Sequence, residues 1–365
     1  ALAMDIIRMQ RRPAALCSND ATSCYDRIVH SVASICMQRL GVDANTCKVM
    51  FGTLQQLHHY VATAYGTSST AYGGIQIPTH GVGQGNGAGP AIWLVMSIPL
   101  INMLRNQGYG FQALSPYTKH HCHLACFTFV DDTDTIHAPN NADSDARQVL
   151  DEIQTAINIW EGGLRATGGA LSPDKSYWYL IDFRWDAKRL QWRYKTIEEC
   201  PGEVTMRSLD GTRVPIQRHD PSTAVETLGV PLAMDGNQAS ILETLQTKIA
   251  KWSNKILTKQ LTMSETILSM QYGISKTLDY PLVATRLSKQ QCNALMKPLR
   301  HATLTALNVP RTFPAILVHA PKTFLGLGLP NLWFEQGFTQ LECLLRHTAE
   351  TTTDSTAQLY RHAIE

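Results

Sequence analysis

The run LACFTFVDDTDTIH, residues 124–137, decides the fold of this chain. Its first six residues are nearly all apolar, two adjacent aspartates follow shortly after, and a strand-like pattern resumes at Thr135. Two such runs separated by a short polar break are typical of strands that are joined by a tight turn. The sequence therefore predicts a β-hairpin with Asp131 and Asp132 at its exposed tip.

A second short strand is predicted over residues 14–19, and Asp20 follows it directly. If the two strands are neighbours in one sheet, their ends bring Asp20 close to Asp131 and Asp132. Nucleotidyl transfer from a triphosphate uses two divalent ions about 4 Å apart, and Mg²⁺ prefers hard oxygen ligands such as carboxylates. An Asp-Asp pair in a turn is otherwise typical of a solvated loop, so the acids alone leave both interpretations open.

Further elements are predicted from apolar spacing and from the positions of glycine and proline. Helices are predicted over residues 26–40, 43–65, 90–104 and 142–166 and in several pieces over 239–307, a glycine-rich loop over 66–89, and strands over 176–194.

Composition sets the limits within which a function can be sought. The chain has 365 residues, 44% of them hydrophobic, which is enough for a large core and two or three structural units. Its 32 Lys+Arg and 30 Asp+Glu residues leave a net charge of +2, so an argument for nucleic-acid binding must rest on local patches. Nine cysteines, an odd number, and no secretory leader predict free thiols in an intracellular compartment, nuclear or cytoplasmic. No apolar run reaches the roughly 18 to 20 residues of a membrane span.

The segment HHCHLAC, residues 120–126, raises the question of a zinc site. It is predicted to alternate along the strand that leads into the aspartate turn, and no second Cys or His pair stands at zinc-finger spacing. Zinc is therefore not predicted.

Residues 18–30, SNDATSCYDRIVH, resemble motif A of the reverse transcriptases, and particularly of LINE-type retrotransposons, which lack long terminal repeats. In that motif an Asp is followed by an aromatic residue five positions on and by a second Asp six positions on. The resemblance implies that Asp20 binds metal, that Ala21 lies at the substrate, and that the ring of Tyr25 occupies the space of a ribose 2′-hydroxyl. Ordinary core packing is the alternative for Tyr25.

Residues 81–90, GVGQGNGAGP, are similar to motif B, which implies that Gln84 and Gly85 contact the incoming nucleotide. Glycine lets the backbone approach a ligand more closely than a side chain would allow. The family commonly has Ser before the proline, where this chain has Gly89. A glycine-rich loop by itself is otherwise typical of a flexible linker.

Residues 129–132, FVDD, resemble motif C, the box of an aromatic residue, any residue and two aspartates. The resemblance implies that Phe129 lies at the substrate and that Asp131 is a metal ligand with Asp132 as its partner.

Residues 169–175, GALSPDK, resemble motif D, and residues 227–232, TLGVPL, are similar to motif E, the primer grip. Motif D implies that Lys175 helps to protonate the leaving pyrophosphate, although a surface lysine in a turn is an equal alternative. Motif E implies that the backbone at Leu228 and Gly229 holds the 3′ end of the primer.

A basic helix is predicted over residues 240–260. No acid lies between Glu243 and Glu265, and such a helix suits a thumb that tracks phosphates without reading sequence, although a lysine-rich face can also be merely solvated. Its apolar face is predicted to carry Leu242, Leu245, Ile249, Trp252 and Ile256, and its basic face Lys248, Lys251, Lys255 and Lys259.

Together, the five motifs and the basic helix imply an α+β fold: a polymerase palm, made of an antiparallel sheet backed by helices, followed by a mostly helical thumb. The implied domains are a palm with partial fingers over residues 1–239, a thumb over 240–310 and a C-terminal connection segment over 311–365. The implied function is RNA-directed DNA polymerase, with two Mg²⁺ ions for which Mn²⁺ could substitute. The implied partners are an RNA template, a DNA primer and dNTPs; no membrane or protein partner is indicated.

A second hypothesis comes from what the sequence lacks. Only nineteen residues precede Asp20, too few for the fingers region, and the start at Ala1 indicates a cut through a longer polypeptide. No endonuclease or RNase H block is recognisable. The chain could therefore be a catalytically inactive, truncated remnant that binds RNA or an RNA:DNA duplex. Intact acids favour the polymerase, and the absent fingers favour the remnant.

Overall fold

The computed structural model describes residues 1–140, 144–349 and 354–365. The chain divides into two compact units, Gln10–Asp220 and a second made of Ala1–Met9 with Pro221–Glu365. This division falls at residue 220, whereas the sequence places the end of the first domain at residue 239. The assignment of palm, thumb and connection to residues 1–239, 240–310 and 311–365 stays a prediction.

Helices and strands are numbered in chain order. The α-helices are α1 Leu2–Gln10, α2 His30–Arg39, α3 Ala44–Gln56, α4 Gly89–Asn106, α5 Ala146–Ala166, α6 Ala239–Thr258, α7 Met263–Leu268, α8 Ser275–Leu282, α9 Lys289–Ala306, α10 Ala315–His319, α11 Leu332–Ala349 and α12 Ser355–Ile364. The strands are β1 Ala14–Asp20, β2 His58–His59, β3 Ala62–Thr63, β4 Gly66–Thr67, β5 Tyr72–Gly73, β6 Phe111–Leu114, β7 His121–Leu124, β8 Cys126–Phe129, β9 Asp132–His137, β10 Tyr177–Ile181, β11 Phe183–Asp186, β12 Gln191–Tyr194, β13 Thr205–Arg207, β14 Arg213–Pro215, β15 Gln217–Arg218, β16 Val225–Thr227 and β17 Val230–Leu232. Short 3-10 turns lie at Tyr25–Arg27, Pro173–Lys175 and Lys322–Phe324, and a π-helical stretch lies at Ser269–Ile274.

The unit Gln10–Asp220 is built around a five-stranded sheet with the order β15-β10-β1-β9-β8. Neighbouring strands are antiparallel except β10 and β15, which are parallel. α5 packs on the sheet through Val149, Ile153 and Ile157, all fully buried, and α4 packs against α5. The prediction of a chain of mixed helix and sheet is confirmed, while the identity of this sheet as a polymerase palm stays a prediction.

The predicted hairpin and its neighbouring strand are present. β8 and β9 pair antiparallel with Phe129 opposite Asp132, and β1 pairs with the other edge of β9. The predicted strand over 14–19 extends by one residue and includes Asp20. The helix predicted over 90–104 and the strands predicted over 176–194 are also confirmed, because α4, β10, β11 and β12 occupy those residues.

Two local predictions are corrected by the structure. The helix predicted over 43–65 ends at Gln56, because residues 58–67 are rich in β-branched and aromatic side chains and form short strands instead. The segment 120–126 does not run as one strand into the aspartate turn. β7 pairs with β6 in a separate ribbon, and only β8 joins the main sheet.

Two predicted helices start later than expected. Residues 25–27 form a 3-10 turn, and α2 begins at His30. α5 begins at Ala146, where Asp145 caps it by accepting from Gln148 N at 2.8 Å. Residues 142 and 143 of the predicted helix lie outside the described residues.

The second unit is mostly helical, as predicted for residues 239–307. α6 and α9 pack against each other, and Leu245, Ile249 and Ile256 of α6 share one buried cluster with Leu295 and Leu299 of α9. Capping boxes start two of its helices, with Thr262 and Glu265 at α7 and Ser288 and Gln291 at α9.

The chain has free thiols at all nine cysteines, as the sequence predicts. Within residues 1–140, 144–349 and 354–365, no helix combines the length and the apolar character that crossing a bilayer requires.

Candidate active site

Asp20 and Asp132 face each other across two paired strands. Asp20 is the last residue of β1, Asp132 is the first of β9, and the two are direct partners in the antiparallel register. Directly opposed residues in such a ladder have Cα atoms about 4.5 to 5.5 Å apart. Two of the three predicted carboxylates therefore share one end of the sheet.

The turn between β8 and β9 carries the third carboxylate and is strained. Val130 and Asp131 are its two central residues, and Val130 has φ +57°. A positive φ at the first central residue is the feature of a type II′ turn, where glycine is usual, and it costs energy for a β-branched side chain. The indole Nε1 of Trp93 in α4 donates a hydrogen bond to the carbonyl oxygen of Val130. α4 thereby fixes the turn that presents Asp131.

Negative charge is concentrated at this end of the sheet. Burial raises the pKa of Asp132, and the charges of Asp131 and Asp20 raise it further, while Lys175 lowers it. Lys175 Nζ lies 3.6 Å from Asp20 Oδ2, with the lysine side chain 71% exposed and that of Asp20 20% exposed. An exposed pair of this kind holds its partners weakly, so it constrains the Lys175 side chain little.

The backbone around Asp20 is held by the segment that resembles motif D. Ser172 N donates to Asp20 O at 2.9 Å, and Thr22 N donates to Ala170 O at 2.8 Å. Asp20 N donates to the hydroxyl of Ser176 at 3.3 Å. These bonds place the 3-10 turn that carries Lys175 beside the end of β1.

The Tyr25 ring packs against the first turn of α4. A Cβ atom added to Gly89 would lie 3.3 Å from Tyr25 Cδ1, so the ring rests on the first turn of that helix. Burial raises the pKa of the neighbouring Cys24 thiol to about 12, and the charge of Asp131 adds to that rise. Glycine at position 89 leaves room for the Tyr25 ring.

The loop that resembles motif B docks on the motif A segment through its first residue. Gly81 has φ +74°, and a Cβ there would lie 2.4 Å from both Asp26 C and Tyr25 O. Val82 N donates to Tyr25 O at 2.9 Å and Gly81 N to Ile28 O at 3.1 Å. The nucleotide contacts predicted for this loop, Gln84 and Gly85, are exposed, and a Cβ on Gly85 would meet nothing within 4 Å.

The remaining predicted residues of this unit lie near the acids in sequence and differ in exposure. Ala21 is buried and forms an isolated bridge with Leu171. Phe129 is 57% exposed on the edge strand β8.

The predicted primer-grip and thumb residues belong to the second unit. Leu228 and Gly229 form the two-residue turn of the β16–β17 hairpin with φ values of +50° and +80°, the pattern of a type I′ turn. Tyr280 Oη donates to Leu228 O at 2.7 Å and holds that turn.

Three of the four lysines predicted for the basic face are exposed, and the last of them, Lys259, follows directly after α6. Lys251, Lys255 and Lys259 are exposed, Lys248 is half-buried, and Lys255 Nζ lies 4.9 Å from the ring centre of Trp252. On the apolar face Leu245, Ile249 and Ile256 are buried, as predicted.

The structure also bears on the predicted metal site. In the part of the chain that is described, no three His, Cys, Asp or Glu side chains converge closely enough to hold an ion. The acids share one end of the sheet, where Asp20 and Asp132 are direct partners in the register of β1 and β9.

Three residues that position the site were not among the predicted site residues. They are Trp93, which holds the turn; Gly81, which lets one loop touch another; and Gly168, where a Cβ would lie 2.2 Å from Arg27 O. The positive φ of Gly81 and Gly168 explains the residue type, but the sequence alone does not say which glycine of a glycine-rich run has a close neighbour.

Comparisons with known proteins do not assign this chain to a family. No protein-family model matches the chain, and no curated protein matches it. Among solved structures it is similar to telomerase from Candida tropicalis in complex with the TWJ fragment of telomeric RNA, with a TM-score of 0.39 and 9% identity, covering 100% of this chain and 52% of that chain. It is also similar to telomerase from Candida albicans in complex with the same kind of fragment, with a TM-score of 0.35 and 10% identity, covering 98% of this chain and 53% of that one. This chain spans about half the length of each, and likeness at this level does not establish a shared function.

Proposed function

We propose that this chain is the catalytic part of an RNA-directed DNA polymerase, the reverse transcriptase of a LINE-type retrotransposon. The observation that carries the proposal is the pairing of Asp20 with Asp132 beside the turn that holds Asp131. The segments that resemble motifs B and D hydrogen-bond to the backbone of the motif A segment, and α4, which follows motif B, holds the motif C turn. The segments that resemble motifs A, B, C and D are distant in sequence, and their contacts thus support one end of the sheet.

In the proposed reaction Asp20 and Asp131 would hold two Mg²⁺ ions, with Asp132 as a further ligand, and Mn²⁺ could substitute for Mg²⁺. The donor set fits these ions, because all three groups offer hard oxygens. Negative charge is also concentrated at this site, since burial together with the charges of Asp131 and Asp20 raises the pKa of Asp132. When bound, the ions would activate the 3′-hydroxyl of the primer and stabilise the leaving pyrophosphate.

The substrate side of the proposal rests on groups around the acids. Lys175 Nζ, next to Asp20, donates a proton to the pyrophosphate, and the Tyr25 ring excludes a ribose 2′-hydroxyl. Gln84 and Gly85 contact the nucleotide from an exposed loop. Ala21 and Phe129 complete the pocket for the dNTP.

The nucleic-acid side of the proposal rests on the second unit. The exposed lysines of α6 contact the phosphates of an RNA template and a DNA primer, and the backbone at Leu228 and Gly229 holds the primer end. Both turn residues have positive φ, which fixes the carbonyl and amide directions of the hairpin tip.

A second candidate function is binding of RNA or an RNA:DNA duplex without catalysis. One observation favours it: no three potential metal ligands converge in the described residues. The polymerase requires the three carboxylates to turn toward a common point when substrate and metal are present. The remnant requires no such change.

Primer extension separates the two functions. The whole chain is given a 5′-labelled DNA primer on an RNA template with dNTPs, in Mg²⁺ or with the ion chelated, and duplex binding is measured in parallel. The polymerase predicts template-directed extension in Mg²⁺, none after chelation, and none from Asp131→Ala, which still binds the duplex. Duplex binding without extension by the unmodified chain would overturn the polymerase in favour of the remnant.

Tyr25→Ala is expected to admit rNTPs and to lower the preference for dNTPs by about tenfold or more, because the ring no longer fills the space of the 2′-hydroxyl. The measurement is the ratio of kcat/KM for dNTP and rNTP addition on one template. Tyr25→Phe keeps the ring and is expected to keep the preference. Equal preference in the Ala variant and the unmodified chain would refute the gate.

A further inference from the structure

A basic cleft lies on α9, in the second unit, and no residue of the five motifs lines it. Its volume is about 410 Å³, and its lining residues are Lys297, Pro298, Arg300, His301, Leu304 and Arg311. Three of these side chains are permanently charged, one is an imidazole, and none is acidic. Such a lining favours a ligand with more than one negative charge.

The spacing of the residues explains why their side chains meet. Lys297, Arg300, His301 and Leu304 follow one another at helical positions i, i+3, i+4 and i+7, so they share one face of α9. Leu304 is buried and forms an apolar floor, while Arg300 and His301 are half-buried and Lys297 is exposed. Arg300 is thus partly withdrawn from solvent, where a charge gains more from an anionic partner.

Arg311 reaches the same cleft from the chain beyond the helix. α9 ends in a Schellman motif, in which Val309 N donates to Leu304 O at 2.9 Å and Asn308 N to Thr305 O at 3.1 Å, with Asn308 at φ +56°. This ending reverses the chain, so that Arg311 lines the cleft together with the helix face. The cleft therefore has two walls, and its guanidinium groups come from both.

No carboxylate of the neighbouring sequence neutralises these cations. Residues 280–334 contain six Lys and Arg residues and no Asp or Glu. Within the described part of the chain, no ion pair engages Lys297, Arg300 or Arg311. Structural arginines that pack against the fold usually have such partners, as Arg286 has in Asp5 here.

We infer that this cleft binds phosphate groups of a nucleic-acid backbone, as a site separate from the lysines of α6. Guanidinium groups suit phosphate because their planar fork donates two parallel hydrogen bonds. α6 packs against α9, so the two basic surfaces belong to one helix pair. The choice of nucleic acid over a free polyphosphate rests on the proposed function.

The test is duplex binding by a variant that loses two cations from the cleft. Arg300→Gln with Arg311→Gln is expected to weaken binding of a labelled RNA:DNA duplex about tenfold and to reduce the slope of log K against log salt by about 1 to 2. Lys289→Gln with Lys322→Gln is the matched control, because both lysines are exposed, lie in the same acid-free stretch and do not line the cleft. Thermal unfolding of both variants confirms that each is folded.

The outcomes separate this inference from the proposed polymerase. Equal loss of affinity in the cleft variant and the control would overturn the cleft, because only the overall charge would then matter. Binding of inorganic tripolyphosphate that is lost in the cleft variant, with duplex binding intact, would overturn the assignment to a backbone. Selective loss of duplex affinity supports the cleft even if the chain extends no primer.

Discussion

Asp20→Asn is expected to lower the rate of nucleotide addition by about 10³-fold or more, equivalent to about 4 kcal/mol of transition-state stabilisation. The amide has the size and shape of the carboxylate, so the pairing of β1 with β9 stays in place, as do the hydrogen bonds from Ser172 N to Asp20 O and from Asp20 N to the Ser176 hydroxyl. What is removed is one negative charge and one oxygen ligand at the end of the sheet. The fold is preserved while the proposed metal site loses a ligand.

The measurement is single-turnover primer extension at saturating duplex and Mg²⁺, so that binding and product release do not hide the chemical step. Asp151→Asn is the matched control, because it removes the same charge from the exposed surface of α5. Its rate is expected to equal that of the unmodified chain. A rate for Asp20→Asn within about tenfold of the control would contradict the proposed role.

Gly81→Ala is expected to lower the free energy of unfolding by about 2 to 4 kcal/mol. Two costs add at this position. The backbone has φ +74°, which a side chain disfavours, and the new Cβ would lie 2.4 Å from the backbone of Tyr25 and Asp26. Neither of those backbone atoms can move away as a flexible side chain could, so the loop must leave the motif A segment.

Gly83→Ala carries only the first cost, that of the positive φ. Gly83 has φ +73°, but a Cβ there meets nothing within 4 Å, so the expected loss is about 1 kcal/mol. Urea unfolding followed by circular dichroism gives the two midpoints, and that of Gly81→Ala is expected to be the lower. Identical midpoints would mean that the loop does not dock on Tyr25.

The acids could be placed from the sequence because each follows a short apolar strand. Local pattern was enough to predict β1, the β8–β9 hairpin and the exposed turn, and the order of the motifs suggested that the strands are neighbours. Local pattern failed over 57–65, where tyrosines, valine and threonine are compatible with apolar helical spacing but prefer extended backbone.

The supports of the site were not predictable in the same way. Trp93 meets Val130 across 37 positions, and Gly81 meets Tyr25 across a stretch of more than fifty residues that includes α2 and α3. Such contacts depend on how helices and loops pack and leave no periodic trace in the chain. The same holds for the basic cleft, whose helix face is visible in the sequence but whose second wall, at Arg311, depends on how the chain turns after α9.

Val130, at the tip of the β8–β9 hairpin, lowers the stability of the fold but restricts the conformation of the turn. Its left-handed backbone costs on the order of 1 to 2 kcal/mol that a glycine would not incur. A glycine would also widen the range of conformations open to the adjoining Asp131, because it populates positive and negative φ about equally. Selection for thermal robustness alone would favour glycine here, whereas selection for a rigidly aimed carboxylate tolerates the less stable residue.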